Sequence, residues 1–509
     1  MLTLSFMLSV PVGNRFVQFT LGGYARLLFA ILVLVVESAV RLVFMFVPQP
    51  VTSGLDFVRA HLIRQGVRLF RGYMDANEDP AMDMTTVQLI QHFGYTAEEH
   101  IVKTDDRFVL TLHRIPRRKN ESHSVNGDRP AVFLMHGLMM CSEVWVATND
   151  SLAFMLADHG FDVWLGNNRG NRYSHKNTKF KPSQNHFWDF SVDELALYDV
   201  PANLNYILDL TQQKTLSYVG FSQGTAQAFA SFSLNPQLAA RVNMFVALAP
   251  AGRAKGLKKG VIGSFVRLAP DSIFLMFGAK ACMPSALFWR NLLARNSFTS
   301  LIDASCRLLF GWRMANFGSQ DRKNMLFAHL FSYTSVKTIV HWFQMVAMNQ
   351  FQMYDENQDL AKTPYRGTTP NPYPVHQIKC PMAIFYGGAD GICDVQWLLD
   401  QMPKNTFIHR QDEYEHLDLI WAASASTCIF PKVIRIIKET VEREAEHELQ
   451  RRKREEECAH EIELLERAND ISVASANAGR HFQRRISAHL SSSTLLPCES
   501  QDSGIDPDL

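Results

Sequence analysis

The chain lacks the features that mark a nucleic-acid-binding protein, a metalloprotein or a disulfide-built domain. Its 51 Lys and Arg residues nearly balance 50 Asp and Glu residues, whereas a nucleic-acid binder carries a basic face. The eight cysteines are scattered, with neither a CxxC pair nor the spacing of metal ligands. Cys282 and Cys306 could form a pair, although free buried thiols are the simpler interpretation. We therefore expect no nucleic-acid partner and no metal.

The N-terminus lacks the pattern of a cleaved secretion signal, because positive charge is sparse, the apolar core starts late and no A-x-A site follows it. Residues 27–47 are instead apolar except for Glu37, Ser38 and Arg41, and the stretch has the length of a membrane helix of roughly 20 residues. Glu37 and Arg41 are four residues apart and can pair on one helix face. Because these charges lie mid-span, a hairpin or tilted helix in one leaflet is an alternative.

Residues 1–72 are predicted to form a membrane anchor that ends in a basic amphipathic segment. After the apolar stretch, arginines alternate with apolar side chains, a pattern that suits an anionic lipid surface. These arginines are Arg59, Arg64, Arg68 and Arg71. Positive charge on this side favours a cytosolic catalytic domain, whereas glycosylation sequons at Asn120 and Asn149 point the other way.

Residues 220–224, Gly-Phe-Ser-Gln-Gly, are the most informative feature that is present. They follow a strand-like segment at 215–219 and precede a helix-forming segment at 225–232. Strand, sharp turn and helix are the setting of a nucleophile elbow, which exposes a serine hydroxyl at the top of a sheet. The same five letters also occur in ordinary strand-to-helix turns, so the interpretation of Ser222 as a nucleophile depends on this setting.

A serine nucleophile needs a base and an orienting acid, which follow it along the chain in this arrangement. Asp390 and His416 both lie just past successive predicted strands, as an acid and a base should. Asp394 is a rival for the acid and His409 for the base, and spacing leaves both choices open. Composition does not help, because the chain has 18 histidines.

An oxyanion hole is the third requirement of this chemistry. A predicted strand at 131–135 runs directly into His136, Gly137 and Leu138, which fits the early loop that donates one backbone N–H. We expect the two donors to be the N–H groups of Leu138 and of Gln223, the residue after the nucleophile. By itself, a His-Gly pair after a strand is also a common strand exit.

Several separated segments of the chain share the motifs of one enzyme family. They are residues 94–100, 111–116, 136–138, 164–171, 187–191, 198–202, 220–224, 341–342, 351–352, 387–390 and 416–418. Together they resemble the acid lipase family of α/β-hydrolases, which includes gastric and lysosomal acid lipases and the fungal steryl ester hydrolases. The resemblance covers about residues 80–430. One departure is Phe221, because elbows of this family often carry histidine at that position.

The resemblance implies an α/β class, the α/β-hydrolase fold, with a mostly parallel sheet flanked by helices and a helical cap insertion. It also implies that Ser222, Asp390 and His416 form the catalytic triad, which needs no cofactor. The long segment before the Asp390 strand is rich in Phe, Leu, Met and Trp. We expect it to form the cap, at about 253–376, with apolar side chains lining a channel for acyl chains.

The C-terminal part changes composition twice. Residues 434–468 are dense in Glu and Arg and predict a long charged helix, which could bind a protein partner. Residues 470–509 are polar and rich in serine, so we expect them to be disordered. Ser487 follows Arg484 and Arg485, as in a basic-directed kinase site.

These observations predict a serine lipase that hydrolyses steryl esters through an acyl-enzyme and is associated with a membrane or a lipid droplet. The resemblance to fungal steryl ester hydrolases implies localisation to the endoplasmic reticulum, the lipid droplet or both. A triacylglycerol lipase would use the same triad and differ only in cap shape. A non-catalytic membrane scaffold is a weaker alternative, because no triad position is replaced.

Overall fold

The computed structural model describes residues 7–12, 15–20, 79–119, 121, 129–258, 262–263, 266, 273–274, 277–282, 290, 295–356, 370–392 and 394–483. The apolar stretch at 27–47, the basic segment after it and Ser487 lie outside these residues. In the part that is described, no helix has the length and apolar character needed to cross a membrane. The chain divides into two compact units, Met1–Val441 and Glu442–Leu509.

Two sheets are present in the described part of the first unit. Strands β1 (Met7–Val12) and β2 (Arg15–Thr20) form an antiparallel hairpin, which the sequence did not lead us to expect within the predicted anchor. The large sheet consists of β3 (Glu98–Lys103), β4 (Phe108–Ile115), β5 (Ala131–Met135), β6 (Asp162–Leu165), β7 (Lys176–Asn177), β8 (Leu216–Phe221), β9 (Val242–Leu248), β10 (Met382–Gly387) and β11 (Phe407–Gln411).

The large sheet has the order β11-β10-β9-β8-β5-β6-β4-β3, with β7 paired to β4. Neighbours from β11 through β6 pair in parallel, whereas β3, β4 and β7 make antiparallel pairs at one side. The prediction of an α/β class with a mostly parallel sheet flanked by helices is therefore confirmed.

The central strands are buried on both faces. All residues of β5, β8 and β9 are buried, which agrees with their nearly continuous apolar sequences. Alternate residues of β5 point to opposite cores: Val132 and Leu134 contribute to one hydrophobic cluster, Phe133 and Met135 to the other. The sheet thus separates two cores, and its strand ends are held rigidly between them.

Helices flank this sheet in the first unit, and the last of them extends along the chain into the second unit. They are α1 (Thr86–His92), α2 (Leu152–Asp158), α3 (Val192–Glu194), α4 (Val200–Thr211), α5 (Gln223–Leu234), α6 (Pro236–Ala239), α7 (Arg295–Phe310), α8 (Gln320–Ala328), α9 (Val336–Met348), α10 (Val395–Leu399), α11 (Asp418–Trp421), α12 (Ala425–Cys428) and α13 (Phe430–Gln483). Short 3-10 turns lie at Pro80–Asp83, Ser142–Trp145, Asn185–Phe187, Lys255–Lys258 and Val375–Gln377, and a π turn at Leu195–Asp199 joins α3 to α4.

The insertion between β9 and β10 is helical in its described part, where it contributes α7, α8 and α9. The hydroxyls of Ser319 and Ser335 accept backbone N–H groups in the first turns of α8 and α9, so both helices start at side-chain caps. Cys306 on α7 is a buried free thiol, so it does not pair with Cys282. The function of the insertion as a cap for acyl chains stays a prediction.

Helix α13 corrects two boundaries predicted for the C-terminal region. It begins at Phe430 and continues to Gln483, so residues 470–483 are helical and not disordered. The prediction of disorder weighed polarity and serine content, whereas Ala474, Ala476 and Ala478 are strong helix formers. Residues 484–509 lie outside the described residues.

Candidate active site

Ser222 stands at the turn between β8 and α5, as the elbow motif predicts. Its backbone angles are φ 52° and ψ −117°, in the half of conformational space that non-glycine residues rarely adopt. The Ser222 N–H donates to the carbonyl of Leu248 at 3.0 Å, which ties the strained turn to the end of β9. Strain of this kind persists only where the surroundings hold it, and it clusters at functional sites.

Two glycines make this turn possible for steric reasons. A Cβ atom on Gly224 would lie 2.3 Å from the carbonyl oxygen of Met135, at the end of the neighbouring strand β5. A Cβ atom on Gly220 would lie 2.8 Å from the backbone of Gly224 and Thr225. The pattern G-x-S-x-G is therefore required by close backbone approach on both sides of the serine.

Ser222, His416 and Asp390 form a continuous series of hydrogen bonds. The Oγ atom of Ser222 lies 2.7 Å from Nε2 of His416, and Nδ1 of His416 lies 2.7 Å from Oδ2 of Asp390. A carboxylate only accepts hydrogen bonds, so Nδ1 carries the ring proton and Nε2 is left to accept from the serine hydroxyl. This is the tautomer that a general base requires.

The carboxylate of Asp390 is fixed as well as buried. Its side chain is 1% exposed, and its second oxygen, Oδ1, accepts the N–H of Ile392 at 3.0 Å. The side chain of His416 is 6% exposed. Both groups are therefore held in one orientation away from bulk water.

The two rival residues have other partners. Asp394 caps α10 by accepting the N–H of Trp397, and its other oxygen lies 3.8 Å from Arg253. His409 on β11 lies 3.1 Å from the ammonium group of Lys432. The structure therefore places Asp390 and His416 beside Ser222, and it places neither rival there.

The predicted oxyanion donors follow adjacent strand ends. Strands β5 and β8 pair in parallel with Met135 opposite Gly220, so the loop carrying Leu138 begins beside the elbow. A Cβ atom on Gly137 would lie 3.1 Å from the ring of Phe221, so this loop packs directly on the elbow. Within the described part of the chain, the N–H groups of Leu138 and Gln223 make no hydrogen bond, so both remain available to an oxyanion.

His136 supports the Leu138 loop as a neutral side chain. Its Nδ1 donates to the carbonyl of Gly137 at 2.8 Å, and its Nε2 accepts the N–H of Asn168 at 3.2 Å. Burial lowers the pKa of His136 to about 4, which keeps the ring uncharged near neutral pH. We therefore assign His136 to loop geometry and not to proton transfer.

Several motif residues that the sequence left without a function form buried ion pairs. Arg169 is buried and donates through Nε to Asp199 at 2.8 Å and through Nη2 to Asp106 at 2.9 Å. Two of the segments that carry the resemblance, 164–171 and 198–202, are thus joined by a structural salt bridge.

Glu143, just past the Leu138 loop, is the centre of a second buried cluster. Its carboxylate accepts from Arg172 at 2.8 Å and from His329, in the insertion, at 2.8 Å. The hydroxyl of Tyr173 donates to the same carboxylate. Burial alone would raise the pKa of Glu143, but these hydrogen bonds and charges lower it to about 2. The cluster joins the loop region to the insertion.

Sequence reasoning missed the aromatic contacts of the site. The indole of Trp312 stacks on the imidazole of His416, and the indole N–H of Trp342 donates to Oε1 of Gln223. Trp312 lies in an apolar stretch whose composition indicates only that it belongs to the predicted cap. Trp342 lies in segment 341–342, one of those that carry the resemblance to the acid lipases. The sequence therefore singled out Trp342 but did not indicate its hydrogen bond to Gln223.

Comparisons with known proteins identify the fold and the family of the chain. The model of a family described as the alpha/beta hydrolase fold matches residues 130–423, and that of a partial alpha/beta-hydrolase lipase region matches residues 86–149. A probable lipase of Schizosaccharomyces pombe is 42% identical over 70% of this chain and 77% of its own length.

Two human relatives are similar over nearly their whole length. The lysosomal acid lipase/cholesteryl ester hydrolase and the gastric triacylglycerol lipase are each 37% identical over 71% of this chain and 92% of their own length. With the elbow geometry and the family matches, these similarities establish the fold and the broad class of reaction. The chain belongs to the acid lipase family of α/β-hydrolases and is a carboxylic ester hydrolase of the lipase type.

Proposed function

We propose that this protein is a serine lipase that hydrolyses steryl esters at a membrane or lipid-droplet surface. The observation that carries the catalytic part is the pair of 2.7 Å hydrogen bonds that runs from Ser222 through His416 to Asp390. Such a series activates a hydroxyl that is a poor nucleophile by itself.

In the proposed reaction, Ser222 attacks the ester carbonyl while His416 takes the serine proton. The buried carboxylate of Asp390 holds the ring in its tautomer and stabilises the imidazolium that forms. The N–H groups of Leu138 and Gln223 donate to the developing oxyanion. His416 then donates its proton to the leaving alcohol, and an acyl-enzyme on Ser222 remains.

The second half of the reaction uses the same groups. Water, activated by His416, attacks the acyl-enzyme and releases the fatty acid. Helix α5 begins at Gln223, so the positive end of its dipole lies where the oxyanion forms in the proposed reaction. The protein needs no further reacting group for either half.

Two substrate classes are consistent with the relatives, because one is named a cholesteryl ester hydrolase and the other a triacylglycerol lipase at equal identity. We favour steryl esters and keep triacylglycerols as the alternative, since the same triad serves both. Rates on cholesteryl oleate and triolein, presented in the same mixed micelles, distinguish them. Faster turnover of triolein would overturn the steryl ester proposal, and Ser222→Ala supplies the background rate.

We further propose that residues 1–72 hold the enzyme at the endoplasmic reticulum or lipid-droplet surface. The support is their composition, an apolar stretch of membrane length followed by alternating arginines. The charged face of α13 within 434–468 is the proposed site of any protein partner, because its side chains from Glu455 to Glu461 are exposed.

A covalent probe tests the nucleophile directly. A fluorophosphonate reacts much faster with an activated serine than with other side chains, so it should label the full-length protein at Ser222 and leave Ser222→Ala unlabelled. Equal labelling of the two proteins would assign the reactive serine to another position and overturn the proposed function.

A further inference from the structure

Trp312 covers the imidazole of His416. The two ring centroids are 5.5 Å apart and the planes differ by 11°, which is an offset stack. Phe221 from the elbow contacts the same imidazole at 5.3 Å with its plane tilted by 50°. Phe310 at the end of α7 stacks in turn on Trp312 at 4.4 Å. The proposed base therefore lies between two aromatic side chains, and a third packs behind Trp312.

Glu415, the neighbour of His416, holds the backbone that follows Trp312. Its carboxylate accepts the N–H of Arg313 at 2.7 Å and the N–H of Met314 at 2.9 Å. Glu415 is 8% exposed, so these are buried, charge-assisted hydrogen bonds. The position of Trp312 is thus determined by the residue next to the histidine that it covers.

A second set of bonds joins the same two segments. The side-chain amide of Asn316 donates to Oδ2 of Asp418 at 2.8 Å, and the backbone carbonyl of Asn316 accepts the N–H of Ala423 at 2.8 Å. The segment after Trp312 is therefore attached to the loop both before and after His416. These bonds hold the backbone next to Trp312, so the indole of Trp312 stays against the imidazole of His416.

The contribution of Trp312 comes from its ring face. The side chain is buried, and among the described residues its indole N–H has no hydrogen-bond partner. An aromatic face attracts a cation that lies over it, most strongly for tryptophan. In the proposed reaction His416 is neutral before the serine proton moves and cationic afterwards, so the attraction grows as the reaction proceeds.

We propose that Trp312 is a positioning residue that orients His416 and stabilises its protonated form, and that Glu415 sets Trp312 in place. This inference rests on the proposed function, because it needs His416 to act as the base. The carboxylate bonded to His416 is that of Asp390, and the other buried carboxylates on the same loop are those of Glu415 and Asp418; all three are retained in the Trp312 variants. A change in those variants therefore reports on the indole.

The first test compares Trp312→Leu with Trp312→Phe in the full-length protein, using p-nitrophenyl butyrate across the pH range. The leucine variant should lower kcat roughly 2- to 5-fold with little change in KM, because the lost attraction belongs to the cationic state. The midpoint of the acid limb of kcat/KM should move to lower pH by roughly 0.4 to 0.7 unit. The phenylalanine variant should recover most of both effects.

A matched control separates this effect from general loss of an aromatic side chain. Trp397 on α10 packs on Arg253 instead of His416, so Trp397→Leu should leave the acid-limb midpoint where it is in the parent enzyme. An unchanged profile in Trp312→Leu would overturn the proposal. An equal shift in Trp312→Phe would overturn it as well, since that variant keeps an aromatic face.

Glu415 supplies a second, independent pair of variants. Glu415→Ala removes both backbone anchors and should lower kcat at least as much as Trp312→Leu does, whereas Glu413→Ala, at an exposed carboxylate on the same loop, should not. The double variant Glu415→Ala, Trp312→Leu should have a kcat within about twofold of that of either single variant, because both substitutions act on the same contact. Additive losses would show that Glu415 acts by another route.

Fluorophosphonate labelling distinguishes failure of this inference from failure of the proposed function. If the parent enzyme is labelled at Ser222 and the Trp312→Leu profile is unchanged, only the inference about Trp312 fails. If the parent enzyme is not labelled, the proposed triad fails and the inference falls with it. Labelling of the folded Trp312→Leu variant at a reduced rate is the expected result.

Discussion

The indole N–H of Trp342 donates a 2.8 Å hydrogen bond to Oε1 of Gln223, which links helix α9 of the insertion to the first residue of the elbow helix. Both side chains are buried. The backbone N–H of Gln223 is the proposed oxyanion donor, so the bond connects the insertion to the geometry of the reaction.

Trp342→Phe should therefore lower kcat by roughly 5- to 30-fold, because Oε1 of Gln223 would be left buried without its donor. KM should change much less, since the substrate does not bind this side chain in the proposed reaction. Trp188→Phe is a matched control, as its indole N–H donates to the carbonyl of Pro182 instead. Equal losses in the two variants, measured on a soluble ester, would argue against a specific link.

The triad predicts large losses from single substitutions. Ser222→Ala, Asp390→Asn and His416→Ala should each reduce kcat by roughly 10⁴-fold or more while the protein stays folded. Asp394→Asn, which alters a helix cap and a charge contact with Arg253, should retain activity within a few-fold. Steady-state rates and circular dichroism check both points, and normal activity in Asp390→Asn would assign the acid to another residue.

Gly224→Ala should destabilise the fold by at least about 2 kcal/mol, because its Cβ would meet the backbone oxygen of Met135, which cannot rotate away. Gly391→Ala is the control, since a Cβ atom at that position would have no other atom within 4 Å. Urea unfolding of both variants measures the difference. Similar stabilities would show that the elbow tolerates a side chain at this position.

The buried cluster of Glu143 predicts a loss of stability in acid. Its pKa in the folded protein is about 2, below the ordinary value of 4.5, so its ionised form stabilises the fold above pH 4.5. This contribution, up to about 3 kcal/mol, is lost as the pH falls from 4.5 towards 2. Urea unfolding at pH 6 and pH 3 should show a smaller pH dependence for Glu143→Gln. Parallel pH dependences in the two proteins would contradict this assignment.

Removal of residues 1–72 should release the protein from membranes, because the deletion takes away both the apolar stretch and the arginines that follow it. Turnover of a soluble ester should persist, since Ser222, Asp390 and His416 all lie beyond the deletion. Sedimentation with microsomes before and after a high-salt wash measures the first effect. Continued pelleting of the truncated chain would place the anchor elsewhere.

The sequence by itself determined the local features. The turn at Ser222 could be recognised because an elbow needs glycines at the second position before and after the serine. Such a local requirement is visible in five consecutive residues. The α/β class with a mostly parallel sheet was predicted from the resemblance of separated motifs to the acid lipase family, and the strand order of the sheet confirms it. The predicted C-terminal limit of the charged helix, residue 468, was wrong, because composition was weighed above the helix propensity of the alanines that follow.

Only the tertiary structure decided which distant residues meet. Asp390 and Asp394 are four residues apart, and no local rule says which carboxylate lies 2.7 Å from His416. Contacts such as Trp312 with His416, or Glu143 with His329, join segments about a hundred or more residues apart. They depend on strand order and on how the insertion folds back, and these are properties of the whole packed sheet and not of any segment of sequence.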